Sequence, residues 1–210
     1  MIDAVLTPDR ILAAAEDVLR RYGPAKATVV DVAQALGVSH GSVYRHFASK
    51  NALRDAVLRR WLGRWFGSLE GIAGGKTAPP ARLRQWLAAL RDGKRKKAND
   101  DPELFATYTA LVTDAREVIA EHLGQLLQQL QRIVADGVAS GHFRKLDPAT
   151  TAQAIFDATL RFHHPAMAYK WSEPNDEEAF NHLIALLLHG LMPAATAGKK
   201  SSAVKRPSSR

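Results

Sequence analysis

The chain has 210 residues, enough for one large domain or for a small domain attached to a larger one, either with a buried core. Its 46% hydrophobic and 24% charged residues are ordinary for a globular fold, and the absence of cysteine excludes a disulfide framework, a thiolate metal site and a cysteine nucleophile. No apolar run reaches about 18 residues and no basic-then-apolar leader opens the chain, so neither membrane spanning nor export is expected, and a reducing cytoplasm fits. The net charge is +8, but five of these charges come from Lys199, Lys200, Lys205, Arg206 and Arg210, in a stretch (194–210) without an acid. Total charge is therefore weak support for a nucleic-acid partner, and local patterning has to carry that argument.

Thr7 and Pro8 read as the cap and first residue of a helix with an apolar stripe of Ile11, Ala15, Val18, Leu19 and Tyr22, stopped by Gly23-Pro24. Thr28, with Asp31 three residues on, caps a short second helix that buries Val29, Val32, Ala33 and Leu36 and ends at Gly37. Ser39 caps a third. In it Val43 and Phe47 face inward, leaving His40, Gly41, Ser42, Tyr44, Arg45 and His46 outward. Two short helices joined by a Gly-containing turn form a helix-turn-helix, whose second helix enters the DNA major groove. Ser49 caps a fourth helix with Leu53, Val57, Leu58, Trp61, Leu62, Trp65, Phe66 and Leu69, expected to run unbroken to about Glu70 as the connector out of the DNA-binding region.

Beyond a Gly- and Pro-rich loop, a helix carries Leu83, Trp86, Leu87 and Leu90 and is followed by the basic run Lys94 to Lys97, which reads as a solvated helix end. Asp101-Pro102 opens a helix with Leu104, Phe105, Tyr108, Leu111 and Val112. A longer one carries Ile119, Leu123, Leu126, Leu130, Ile133 and Val134 up to Ser140-Gly141. Asp147-Pro148 starts a helix with Ile155, Phe156, Leu160 and Phe162, interrupted or ended at Pro165. Asn175 caps the last helix, which has acids in its first turn and is apolar on more than one face, from Phe180 to Leu191. The tail beyond Met192 lacks periodicity and reads as a disordered basic extension. No strand pattern or repeat is visible.

The order Thr28-x-x-Asp31-Val32-Ala33-x-x-Leu36-Gly37-Val38-Ser39-x-Gly41-Ser42-Val43-Tyr44-Arg45-His46-Phe47-x-Ser49-Lys50-x-x-Leu53, behind a Thr-Pro helix start, resembles the N-terminal domain of the TetR family of bacterial transcriptional regulators. The resemblance covers the first sixty or so residues without an insertion. It implies an all-α fold of about nine helices: a three-helix DNA-binding domain at 1–54, an effector-binding and dimerisation domain at 55–193, and the basic tail at 194–210. The expected partners are an operator in double-stranded DNA, a second copy of the chain and a small-molecule effector. The expected action is repression of a promoter at a near-palindromic site, with activation or effector-independent architectural binding as alternatives.

Candidate DNA contacts are Thr28, Ser39, His40, Gly41, Ser42, Tyr44, Arg45, His46 and Lys50. Arg45 leads, because guanidinium binds the guanine edge bidentately, whereas Tyr44, His46 and Lys50 suit phosphates and Thr28 caps its helix whether or not it also binds one. An effector pocket among C-terminal helices would draw on Trp86, Phe105, Tyr108, Phe156, His163 and Met167, aromatic or soft side chains with a few polar tips. The resemblance further implies a dimer interface on the last two long helices, through Phe156, Leu160, Leu183, Ile184, Leu187 and Leu191. His163-His164 lacks the spacing of a metal pair, and no cofactor is expected. Asp157 and Arg161, four apart, suit a helix-surface ion pair, and with no phosphate loop, nucleophile elbow or zinc-hydrolase signature an enzyme is not expected.

Overall fold

The computed structural model describes residues 5–64, 66–112 and 115–194, and within them the chain is helical, with no strand. Thr7 Oγ1 accepts the Arg10 amide at 3.3 Å to start α1 (Pro8–Lys26), which kinks at Gly23, where φ is +71°. At α2 (Val29–Leu36) a full capping box forms: Asp31 N donates to Thr28 Oγ1 at 3.2 Å and Thr28 N to Asp31 Oδ2 at 2.8 Å. Gly37, at φ +67°, ends α2 in the left-handed conformation that an L side chain resists, and so sets the turn into α3 (His40–Tyr44). Ser49 caps α4 (Lys50–Gly63).

Eight further elements follow: α5 (Phe66–Ala73), α6 (Pro79–Asp100), α7 (Pro102–Val112), α8 (Arg116–Ala139), α9 (Pro148–Ala158), α10 (Leu160–His163), a 3-10 helix (Pro165–Lys170) and α11 (Asp176–Leu191). They enclose two apolar clusters. The first joins Ile11, Val32, Val43 and Val57 of the helix-turn-helix region to Trp61 at the end of α4 and to Phe105, Tyr108 and Leu111 of α7, continuing across residue 54 without a polar break. The second gathers Leu83, Trp86, Leu130, Ile133, Ile155, Phe180 and Ile184 around α6 and α8. Trp86 and Gln129 are both buried there, with the indole N–H donating to Gln129 Oε1 at 2.8 Å. Where α8 meets the following loop, a Cβ on Gly137 would lie 2.0 Å from the Phe143 ring, so only glycine admits that ring.

Several expectations are corrected. The fourth helix does not run unbroken to Glu70. It ends at Gly63 and α5 begins at Phe66, between glycines 63 and 67 that each weaken a helix interior by about 1 kcal/mol. The break lets α4 face the first cluster while Leu69 and Ala73 face the second; Trp65 lies outside the described residues. Tyr22, assigned to an apolar stripe, is 51% exposed, because the helix bends one residue later. The basic run is no solvated end: it sits inside α6 with Lys94, Arg95 and Lys97 half-buried. The helix after Asp147 breaks at Thr159, ahead of Pro165, so Asp157 and Arg161 do not pair. Arg161 reaches Glu173 at 2.8 Å, and Asp157 accepts from Gln153 at 3.0 Å. Asn175 makes no side-chain cap at α11. That start is held by the buried Asp176, which pairs with Arg95, and by Glu177, which pairs with Arg91 at 3.0 Å. Residues 195–210, most of the basic tail, lie outside the described residues.

Candidate DNA-binding surface and effector cavity

The recognition face is built on one fully buried side chain. Val43 anchors α3 to the first cluster, and helical geometry then turns His40, Gly41, Tyr44, Arg45 and His46 to solvent. Arg45 is not adrift: its Nη2 donates to Ser42 Oγ at 3.1 Å, and Ser42 lies 2.9 Å from Ser39 Oγ. His40 meets Tyr44 edge-on at 6.3 Å between ring centres. Thr28 is exposed, but its hydroxyl already donates to Asp31 Oδ2 at 2.6 Å. These hydrogen bonds from Thr28 hold the Asp31 carboxyl below its ordinary range. Lys50 is half-buried in the first turn of α4. The nine candidate DNA contacts fall on α3, on Ser39, Arg45 and His46 that flank it, and on the starts of α2 and α4.

A cavity of about 400 Å³ lies between α4, α7, α8, α9 and α10. Its wall is chiefly apolar, with Trp61 and Leu62 from α4, Leu123 and Leu126 from α8, and Phe156 from α9. Into it project Lys94 of α6, His122 of α8 and His163 of α10. Burial lowers the Lys94 ammonium to about 8. Burial, reinforced by Lys94, pushes His122 down to about 3 and His163 to about 4, so both rings are neutral at pH 7. One turn past Lys94, Lys97 Nζ donates to the Trp61 carbonyl at 3.0 Å and sits 4.3 Å from the centre of its ring. Burial, then the charges of Lys94 and Arg64, lower Lys97 to about 7.

Of the six residues expected to line a pocket, Phe156 and His163 do so. Trp86 is sealed in the second cluster, while Phe105 and Tyr108 pack against Trp61 outside the cavity wall, Tyr108 stacked on it at 4.2 Å. Met167 is 37% exposed on the 3-10 helix. The residues missed were Trp61, Leu62, Lys94 and His122. Among the expected interface positions, Phe156, Ile184 and Leu191 are buried within their own subunit, whereas Leu160, Leu183 and Leu187 are half-buried. Leu186, one position over on α11, is 68% exposed.

A family model described as bacterial regulatory proteins, tetR family, matches residues 11–57, and one described as tetracyclin repressor-like, C-terminal domain, matches residues 79–184. A regulator of Mycobacterium tuberculosis called MT1294 is 42% identical over 196 residues, covering 93% of this chain and 91% of its own. The chain belongs to the TetR family. It is a DNA-binding transcriptional regulator. The transcriptional repressor KstR2 of Mycolicibacterium smegmatis is 25% identical, covering 87% of this chain and 89% of its own. Among solved TetR-fold structures, SmeT, the repressor of a Stenotrophomonas maltophilia multidrug efflux pump, aligns with TM-score 0.67 at 21% identity over 90% of this chain and 91% of its own. FadR of Bacillus subtilis, solved with stearoyl-CoA, aligns with TM-score 0.61 at 22% identity over 88% of this chain and 100% of its own. The two matched stretches take in α1 to part of α4, and α6 into α11.

Proposed function

We propose that this TetR protein is a cytoplasmic homodimeric repressor that binds a near-palindromic operator and is released from it by a small molecule held in the cavity. Residues 1–54 are assigned to DNA binding and 55–193 to sensing and dimerisation. The observation that carries this reading is the position of the cavity against Trp61 and Leu62, near the end of the helix that begins at Lys50, a candidate DNA contact. A ligand there touches the element that orients α3. In a dimer, two α3 helices enter successive major grooves about 34–36 Å apart, and a ligand that favours another separation releases the DNA. The dimer is assigned to α9 and α11, where Leu183 and Leu187 are half-covered and Leu186 is bare. The repressor names of KstR2 and SmeT and the acyl-CoA in FadR support repression and an apolar effector.

The test is selection of genomic fragments by the purified protein at one near-physiological salt concentration, followed by sequencing and by mass measurement of the complex. Salt is fixed because phosphate contacts make affinity steeply salt-dependent. Sharp near-palindromic sites bound by two copies are the expected result. A sequence-independent pool that is lost on adding salt, or one copy per site, would overturn the reading.

A further inference from the structure

We infer that the ligand of this cavity is an apolar monoanion, a carboxylic acid on a hydrocarbon body, with its carboxylate between Lys94 and His122. The inference rests on the cavity being the effector site proposed above and names what that site takes.

The polar groups of the wall divide into those already satisfied and those left open. Thr109 Oγ1 donates to the Phe105 carbonyl at 2.8 Å, Asp157 is engaged by Gln153, and His164 Nδ1 accepts the Ala166 amide at 3.2 Å. His163 Nε2 shares a hydrogen bond with Thr159 Oγ1 at 3.2 Å. Lys94 is half-buried against this apolar wall and forms no ion pair or hydrogen bond among the described residues, and His122 Nε2 is buried without a partner. Covering an ammonium with apolar walls and no counter-charge costs free energy, and a buried ring nitrogen left unpaired adds a smaller cost. A carboxylate satisfies both: one oxygen pairs with the ammonium and the other accepts the imidazole N–H.

The sign of the ligand follows from the surrounding charge. Lys97 adds its charge to that of Lys94 at His122, Arg64 is paired with the buried Glu16 away from the wall, and Asp157, the acid of the described wall, is exposed and engaged elsewhere. Its class follows from the donors. A lysine presents a compact point charge, and no arginine fork, the usual partner of phosphate, lines the described wall. The remaining wall of Leu62, Leu123, Leu126 and Phe156 suits a hydrocarbon body.

The full-length protein is titrated calorimetrically with decanoate, decyl phosphate, decanol and decylamine, which share a chain and differ in the head. Decanoate is expected to bind at least tenfold more tightly than each of the others. In K94M the decanoate advantage over decanol disappears while decanol affinity is unchanged. Without any substitution, decanoate binding at pH 8 in buffers of different ionisation enthalpy should show net proton uptake, as the carboxylate draws a proton onto Lys94. Equal affinity for acid and alcohol, a preference for the amine or the phosphate, binding of none of the four, or no proton uptake would overturn the inference. Operator affinity is measured with the same four compounds. Tight decanoate binding that leaves the operator complex intact refutes effector release while leaving the carboxylate site standing.

Discussion

Lys94 and Lys97 give the protein a stability that should grow with pH where most proteins are flat. Unfolded, both ammonium groups have the ordinary lysine value of 10.5; folded, burial brings them to about 8 and about 7. Between pH 7 and about 10 the unfolded chain therefore binds more protons than the native one, and the free energy of unfolding rises with pH over that window. Integrated from pH 7 to 9, the two lysines together contribute on the order of 3 kcal/mol. His122 and His163, neutral in the native state, add only about 0.3 kcal/mol over that range, close to pH 7 where their unfolded rings are still partly protonated. Tyr108, raised by burial, weakens the native state only as pH passes its ordinary 10.0. Urea unfolding of ligand-free protein followed by circular dichroism at pH 7, 8 and 9 checks this, with the K94M/K97M double variant as control. A midpoint that climbs in the native protein and stays level in the double variant is expected. A native midpoint that is constant or falls between pH 7 and 9 refutes the assignment of these lysines to a dry site.

Arg45→Ala should weaken specific operator binding by roughly 1–3 kcal/mol while leaving the oligomer folded, measured by fluorescence anisotropy at fixed salt; unchanged affinity removes Arg45 from the contact set. Leu186→Glu adds a charge to an exposed position of α11 and so should leave the subunit folded, yet it places like charges across a two-fold interface at a cost of several kcal/mol. Light scattering should then report a monomer, and a fully dimeric variant with a native spectrum would sink the α9–α11 interface. Gly137→Ala would raise helix propensity on an open helix face but here drives a methyl into the Phe143 ring, and should destabilise by roughly 1–3 kcal/mol in urea unfolding. A more stable variant would mean that the ring moves aside freely.

The DNA-binding half was legible because its signals are local. Thr28 with Asp31, Gly37 and Ser39 specify caps and a turn within a few residues, and each adopts the geometry its side chain favours. The cavity was not legible, because its polar groups continue an apolar period. Leu83, Leu87 and Leu90 are followed at the same helical spacing by Lys94 and Lys97, and Ile119 and Leu126 flank His122. A basic run reads as solvated when only its charge is considered; its phase along α6 turns Lys94 and Lys97 toward the cavity and Trp61, while Lys96, out of phase, is exposed and pairs with Asp100 at 2.7 Å. Trp86, Phe105 and Tyr108, nominated for the pocket, went to core because they fill gaps between helices that no sequence period reports. The break at Gly63 was hidden by an apolar stripe that runs straight across it.

That break bears on how a ligand could act at a distance. An effector moves an equilibrium only by its differential affinity for the two states, and a hundredfold loss of operator affinity needs about 2.7 kcal/mol, shared between two sites in a dimer. One ion pair formed in one geometry and not in the other is enough. Lys94 sits one turn before Lys97, which grips Trp61 by its carbonyl and its ring, and Trp61 in turn stacks on Tyr108. The same face of α6 thus presents one cation to the cavity and the next to the end of α4. Because α4 stops at Gly63, a shift of Trp61 and Leu62 need not be absorbed by α5. In the proposed mechanism it would pass instead into the first apolar cluster, which packs α1, α2 and α3 on the same helix through Val57 and Val43 and so joins the candidate DNA contacts to Trp61.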